Sequence, residues 1–552
     1  MKRKPKQQSV NERYSHISLN IMATAFFIAI AAVLPVYMPR LGYLFLTKQK
    51  TDLFITFTAI ASAATVLILF FTTSRFRVEN YFAENEPKRR LSISEWALIA
   101  FLLLTFLSAV FSPGQDFVWH GFTTNGVNGR WEGFWAFLCY GLTFFIIARF
   151  YKPKRWHFLI FAGSSALVSL YGILQFMGTD VLLSVGFYEI PEAMTLGSTS
   201  RLFRTTLGNN NVVSGYCSLV IVLFSGLFAG EESKWGVVYL AASAMAFAML
   251  CITSGDAGRV GVLVSMVLII PYWISDRKRL GKLLVTLASW ITAYASVEAY
   301  KADKVRRYVP EYPPEAVAAL GAVLLALGLC LILFIKKWPN SRSMKIAGAA
   351  LLAASIIGGL LFVEIEGSRR SDRPRDIIWQ AREMMHGRME DRFGSGRGHI
   401  WRMGMSVVFD NPLLGTGPDT FFFALGGRQV IPAEPTPEDP FPSWVTAQGM
   451  QLEAVEKYKV IYDKAHNAFL QIAVCMGIPA LLAYLIFLGG LFLPSVKRAF
   501  NRPVLFAFGA AALSYIIQTF FQIDTPIDRP LAWLALGVMA GELWRERVGA
   551  RT

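Results

Sequence analysis

One histidine stands in "YDKAHNAFLQIAVCMGIP" (462–479), where a charged stretch passes into a long apolar run. With Asp463 read as the helix cap, His466 falls at the third position, in the first turn. The positive end of the helix dipole disfavours imidazolium there. A neutral imidazole with a free nitrogen is what a general base needs to take a proton from an attacking hydroxyl. Asn467 and Gln471, one turn apart, continue a polar stripe inward and are candidates to line a substrate cavity. A histidine that merely rests at a polar interface would show the same spacing, so its neighbours have to decide.

Those neighbours are arginines in costly places. Arg259, in "CITSGDAGR", starts an apolar helix after a tight Ser-Gly turn, and a membrane-embedded arginine usually faces an anion or backbone carbonyls. Arg397, in "GSGRGHIW", joins flexible backbone, a helix start and a guanidinium, which suits bidentate binding of phosphate oxygens. Arg201 and Arg204, in "TSRLFRTTLGNNN", precede an asparagine cluster ending at Asn211 and could add to the same positive pool. Arginines that hold a diphosphate leaving group, and a histidine that activates an acceptor hydroxyl, are what transfer from a lipid diphosphate requires. Such chemistry needs neither metal nor nucleotide. The sequence offers no Asp-x-Asp or Glu-x-Asp in the first long loop, no His/Cys/Asp cluster and no phosphate-binding Gly-x-x-x-x-Gly-Lys motif. Asp524 and Asp528, four apart, read as turn chemistry. We therefore expect no metal and no cofactor.

The elements that must carry these residues are hydrophobic. The 552-residue chain is 54% hydrophobic, with a mean hydropathy of +0.43. Apolar runs of about 20 residues recur along nearly all of it, each able to cross a bilayer as a helix. They fall near 17–38, 52–72, 95–112, 133–150, 157–178, 212–230, 235–253, 258–275, 281–300, 315–336, 344–363, 466–493, 504–523 and 528–544. The expectation is an all-α polytopic membrane protein with about 12–14 transmembrane helices. The basic segment ahead of the first run has no small-residue cleavage site after it and reads as a cytoplasmic tail. The five cysteines are scattered, without a CxxC, so neither zinc nor a disulfide framework is indicated.

Charge then orients the helices. With the N-terminus inside, "SRFRVENYFAENEPKRR", "ARFYKPKRW", "SDRKRLGK", "KKWPNSRSMK", "VKRAFNRP" and the C-terminal tail all face the cytoplasm and are rich in Lys or Arg. "KADKVRRYVPEYPP" breaks the pattern. Both termini come out cytoplasmic, and the net charge of +16 is accounted for by orientation, with no nucleic-acid partner needed. The chain divides into membrane helices (1–363), a large extracytoplasmic loop (364–465) and C-terminal membrane helices with a short tail (466–552). In the loop, "PRDIIWQAREMMHGRMEDRF" reads as a helix broken by Gly-Ser-Gly, "RGHIWRMGMSVVFDNP" as a second helix ended by Asn-Pro, and "VIPAEPTPEDPFPSW" as a flap.

Three stretches carry a resemblance. "LGNNNVVSGYCSLVIVLFSG", "GRGHIWRMGMSVVFDNPLLGTGPDTF" and "HNAFLQIAVCMGIPALLAYL" are similar, in this order, to the O-antigen ligase and O-antigen polymerase superfamily, which includes protein O-oligosaccharyltransferases. The likeness spans about residues 195–495. It implies a GT-C-like membrane glycosyltransferase in a bacterial cytoplasmic membrane with its active site outside. The implied reaction is a metal-independent, inverting transfer of a glycan from undecaprenyl diphosphate to a glycan, lipid or protein acceptor. On that likeness His466 matches the base, and Arg259 and Arg397 match diphosphate ligands. Because "SGDAGR" displaces the first arginine from the family's usual Ser-Arg-Gly, Arg204 stands as its substitute. Trp401 and Asn211, inside the matching motifs, join Asn467 and Gln471 as cavity-lining candidates. A transporter or flippase of lipid-linked glycans is the reading from another class. It predicts broken helices in related halves, and the sequence shows no such symmetry.

Overall fold

The computed structural model describes residues 10–40, 42–73, 91–122, 129–188, 204–253, 255–305, 308–335, 338–339, 341–371, 376–388, 391, 393–425 and 462–549. The expected flap, the basic N-terminal residues 1–9 and Arg201 lie outside these. The apolar runs fold as helices because a backbone that leaves water must satisfy its own hydrogen bonds. In chain order they are α1 (Val10–Ile28), α2 (Leu46–Thr73), α3 (Ile93–Phe111), α4 (Phe134–Phe150), α5 (Arg155–Phe176), α6 (Asn210–Gly230), α7 (Gly236–Ile252), α8 (Asp256–Leu268) and α9 (Ile270–Ile274). There follow α10 (Arg277–Lys304), α11 (Pro314–Leu333), α12 (Ser341–Arg369), α13 (Ile377–Met385), α14 (Phe393–Asp410), α15 (Ala468–Arg498), α16 (Pro503–Thr519) and α17 (Arg529–Gly549). Among the described residues nine helices are long and apolar enough to cross a membrane, and three shorter apolar helices, α4, α7 and α16, accompany them. The chain is an all-α, multi-pass membrane protein.

The bundle is built around α6, whose side chains are buried from Val212 to Ala229. Its neighbours are α7, α8 and α16, and small residues let them approach closely. A Cβ on Gly226 would lie 2.8 Å from the Ala507 backbone of α16, and one on Gly258 would lie 2.4 Å from the Ser214 carbonyl oxygen. Helices α11 and α12 are mostly exposed along their lengths, as lipid-facing helices should be.

In the described part of 364–465 the helix break falls elsewhere than the sequence suggests. The two helices form, but the break between them comes at His386–Gly387, and α14 begins at Phe393. The Gly-Ser-Gly therefore lies inside the first turn of α14, with Gly394 and Gly396 at left-handed φ of 57° and 94°. The second helix does end at Asn411-Pro412, since proline cannot continue it. From there "PLLGTGPD" docks against α15 at a break in that helix. Gly477 has φ 86° and ψ 168°, and the amide of Ile478 donates to the Pro412 carbonyl at 2.8 Å. The amides of Thr416 and Gly417 donate to the carbonyls of Val474 and Cys475 at 3.1 and 2.7 Å. Side chains at Gly415, Gly417 or Gly477 would collide with backbone or with Ser112. These glycines are the means by which the loop reaches the membrane helix.

Candidate active site

The docked loop delivers Asp419 to a buried cluster of charge beneath His466. The amides of Phe122 and Glu132 both donate to Asp419 Oδ2, at 2.7 and 3.2 Å. Lys464 Nζ bonds Glu132 Oε2 and sits 3.7 Å from Asp419 Oδ1. Arg529 bridges Glu132 and Asp524 at 2.8 and 3.1 Å, and Tyr140 donates to Glu132 at 2.9 Å. Glu132, Lys464, Asp419 and Arg529 are all nearly inaccessible to solvent. Ions so enclosed persist only when paired and hydrogen-bonded. Burial would raise the Glu132 carboxyl, but Arg529 and Lys464 outweigh it and hold it below the usual range. Burial wins at Asp419, which is pushed up to about 6 despite Lys464.

The same cluster fixes the approach to α15. Asp463 pairs with Arg130 Nε at 2.6 Å. It does not cap the helix, a correction to the sequence reading. The cap is Asn467, whose side-chain oxygen accepts from the amides of Phe469 and Leu470, both at 3.0 Å. Asn467 is the nearer competitor, and Arg130, remote in sequence, claims the aspartate. His466 is thus one residue before the cap, outside the helix, at a left-handed φ of 51°. Non-glycine residues take that conformation at a cost of roughly 1–2 kcal/mol, so the surroundings must impose it. Trp401 Nε1 donates to the Ala465 carbonyl at 3.0 Å, and the Ala465 amide donates to Gln471 Oε1 at 2.8 Å. The turn is clamped on one side by these two and on the other by the Asn467 cap. Trp131 and Asp419 share the left-handed backbone, with φ of 55° and 58°. Strain of this sort gathers at functional sites.

Of the cavity-lining candidates, Asn467, Gln471 and Trp401 hold the His466 turn through their polar atoms, with Gln471 also donating to Cys475 Sγ at 3.3 Å. Asn211 likewise contributes its amide to the Asn209 cap of α6, at 2.7 Å.

His466 itself is half-buried, and its Nδ1 is enclosed without a hydrogen-bond partner among the described residues. Its basicity falls to about 4, chiefly through burial and next through the Arg397 cation, with Asp463 opposing. Burial, not the helix dipole, is the leading cause of that shift. Arg397, which bends back over Gly394, has an enclosed Nε without a partner among the described residues. Burial lowers its pKa, and the Asp256 carboxylate opposes that effect. Asp256 in turn pairs with Arg259 at 2.9 Å, and Arg259 also donates to the Thr253 carbonyl at 2.8 Å. His466, Arg397 and Arg259 therefore form one electrostatic neighbourhood. Arg259 is held there because Gly255 and Gly258 press α8 onto Ser214, whose hydroxyl donates to the Gly255 carbonyl and accepts from the Gly258 amide, at 2.6 and 2.9 Å. Arg204 is elsewhere in its contacts. Its guanidinium lies 5.6 Å from the Tyr43 ring centroid, and its amide donates to Gln175, within a cluster organised by Asp180.

No group of three or more His, Cys, Asp or Glu residues suited to a metal occurs among the described residues. Asp528 accepts from the amide and hydroxyl of Thr525, at 3.2 and 3.0 Å, as turn chemistry requires. Asp524 is a partner of Arg529. The residues that sequence reasoning passed over are Arg130, Glu132, Asp419, Lys464 and Arg529. A usable signal was the pair of charges in "YDKAH", immediately before the histidine.

Comparison with known proteins adds one match. Residues 316–485 fit the family model described as O-antigen ligase. That span runs from α11 to the middle of α15 and includes Arg397, Trp401, Asp419, Lys464 and His466. No curated protein and no solved structure matches the chain. Residues 316–485, with the clamped histidine and docked glycine loop they contain, are thus similar to the O-antigen ligase family, in line with the resemblance that the sequence motifs carry.

Proposed function

We propose that the protein transfers a glycan from a polyprenyl diphosphate, undecaprenyl diphosphate in a bacterial cytoplasmic membrane, to an acceptor hydroxyl on the outer face. The single observation that carries this reading is a half-buried His466 on a clamped turn, in the electrostatic neighbourhood of Arg397, each with an enclosed nitrogen that no described residue satisfies. The acceptor hydroxyl gives its proton to His466 as its oxygen bonds the anomeric carbon. The bond from that carbon to the diphosphate oxygen breaks, and its electron pair leaves with the diphosphate. Arg397 and Arg259 neutralise the charge that develops there. Displacement from the opposite face inverts the anomeric centre, and no metal ion is required for either proton or charge. The buried network of Glu132, Lys464, Asp419 and Arg529 touches none of the reacting atoms. It holds the backbone on which His466 is mounted.

The test is reconstitution in proteoliposomes with a polyprenyl-diphosphate-linked saccharide. Separate arms supply a lipid-linked glycan, a free glycan or a hydroxyl-bearing peptide as acceptor. Release of free polyprenyl diphosphate that depends on an acceptor supports transfer, and the productive arm separates ligase or polymerase from protein glycosylation. Movement of intact donor across the bilayer without release would replace this reading with a flippase.

A further inference from the structure

A second concentration of charge lies at the other end of the bundle. Helix α6 begins beside Thr253, whose hydroxyl donates to the Asn210 carbonyl at 3.1 Å, and ends at Gly230. Its length, about 30 Å at 1.5 Å per residue, separates the neighbourhood of Arg259 from a cavity of about 570 Å³ that Gly230 helps to line. The ends of α6, α9 and α15 and the starts of α10 and α16 meet there, with Lys345 of α12 at the rim.

Five cations face this cavity, Arg277, Lys278, Arg279, Lys282 and Lys345, against two carboxylates, Glu232 and Asp276. The carboxylates are already engaged. Glu232 pairs with Lys278 at 3.3 Å, and Asp276 caps α10 through the amides of Lys278 and Arg279. The other four cations have no carboxylate within ion-pairing distance among the described residues. Arg277 donates to the helix-end carbonyls of Leu331, Ile332 and Ile335. Arg279 donates to the Phe500 carbonyl at 2.8 Å and stacks 4.2 Å from the Tyr272 centroid. Lys282 donates to the carbonyls of Ala229 and Glu231, and Lys345 lies 4.8 Å from the Phe500 centroid. Neutral carbonyls and ring faces position cations without cancelling their charge. The site is pre-assembled and keeps a surplus of positive charge.

Its surroundings select the anion. Ile346, next to Lys345, is strongly exposed, as are Leu493 and Val496 on the turns of α15 that lead to the rim. A ligand with an anionic head and apolar chains satisfies both parts at once: phosphate in the basic cavity, acyl chains along the exposed apolar helices. We propose that this cavity binds the phosphate of an anionic glycerophospholipid, at a site distinct from the one that contains His466.

The test uses the full chain, extracted in detergent and exchanged into mixtures of phosphatidylglycerol and phosphatidylcholine, with native mass spectrometry to count retained lipid. The expected result is preferential retention of phosphatidylglycerol, lowered at least about tenfold in Lys278→Gln/Lys345→Gln. Both lysines are exposed, so the thermal midpoint stays at the wild-type value. The control Lys152→Gln/Lys234→Gln removes the same charge from exposed positions outside the cavity and retains lipid as the wild type does. Equal retention of both lipids, or an equal loss in the control, would overturn the proposal. Displacement of phosphatidylglycerol by millimolar inorganic phosphate would assign the cavity to a soluble anion and overturn the lipid assignment.

Discussion

The protonation state of His466 gives the sharpest handle on the proposed chemistry. Burial and Arg397 lower its basicity from 6.5 to about 4, a difference of roughly 3 kcal/mol in favour of the neutral ring. At pH 5 such a histidine is about 90% neutral, against about 3% for an unshifted imidazole. Donor turnover measured as kcat/KM should therefore hold nearly level from pH 7 to pH 5 and fall only towards pH 4, because that ratio reports the free enzyme. A sugar diphosphate diester carries no group that titrates in this window, so the limb belongs to the protein. Arg397→Gln removes the second cause of the shift and leaves the first, burial, in place. Its acid limb should move up, towards 6.5, by no more than about one pH unit. Arg397→Lys keeps the charge and should leave the limb where it was. A wild-type limb near 6.5 would refute the reasoning, as would an Arg397→Gln limb that stays put or moves down.

Three further outcomes follow from the packing. Lys464→Met strands the buried Asp419 and half-strands Glu132, which should cost about 3–5 kcal/mol and lower the thermal midpoint in detergent. Adding Asp419→Asn should recover part of the loss, and no recovery would show that the two ions are not coupled. Gly477→Ala meets the Leu413 carbonyl oxygen at 2.2 Å and a glycine-only conformation, with strain of about 1–3 kcal/mol. Gly489→Ala in the same helix meets nothing within 4 Å, so only the first should lower the thermal midpoint. Trp401→Phe keeps the ring against Phe393 and Phe520 but deletes the bond to the Ala465 carbonyl. About 1 kcal/mol of restraint on the His466 turn goes with it. The expected result is a lower kcat with KM unchanged, and an unaltered kcat would remove Trp401 from the positioning of His466.

Much of this architecture was legible in the sequence because helices that leave water announce themselves as apolar runs. Local chemistry was legible too. Residue type and position made His466 at the mouth of α15 and Arg397 after its glycines candidates, and the family resemblance singled them out. What sequence could not supply was pairing across the fold. Glu132, Asp419, Lys464 and Arg529 come from four segments separated by tens to hundreds of positions, and no periodicity links them. The cap was misread for the same reason. Asp463 and Asn467 both suit a helix start, and only Arg130, 333 residues away in the chain, decides between them. The polar stripe of Asn467 and Gln471 is visible in the sequence, but what it holds, the Ala465 amide among others, is backbone that no side-chain pattern reveals. Glycines were the opposite case. Gly415, Gly417 and Gly477 belong to quoted motifs, and their purpose became physical once the loop was seen lying backbone to backbone on a broken helix.

The measurement that bears most directly on the central claim separates donor binding from donor consumption. In proteoliposomes with saturating acceptor, affinity for a polyprenyl-diphosphate-linked saccharide and the rate of diphosphate release are compared for wild type, His466→Ala and Arg397→Gln. The account predicts that His466→Ala binds donor as tightly as the wild type yet loses about 10²–10⁴-fold in turnover, as expected for a missing base. Arg397→Gln should weaken binding and turnover together. If His466→Ala turns over at the wild-type rate, or loses donor binding as Arg397→Gln does, His466 is not the base and the account fails.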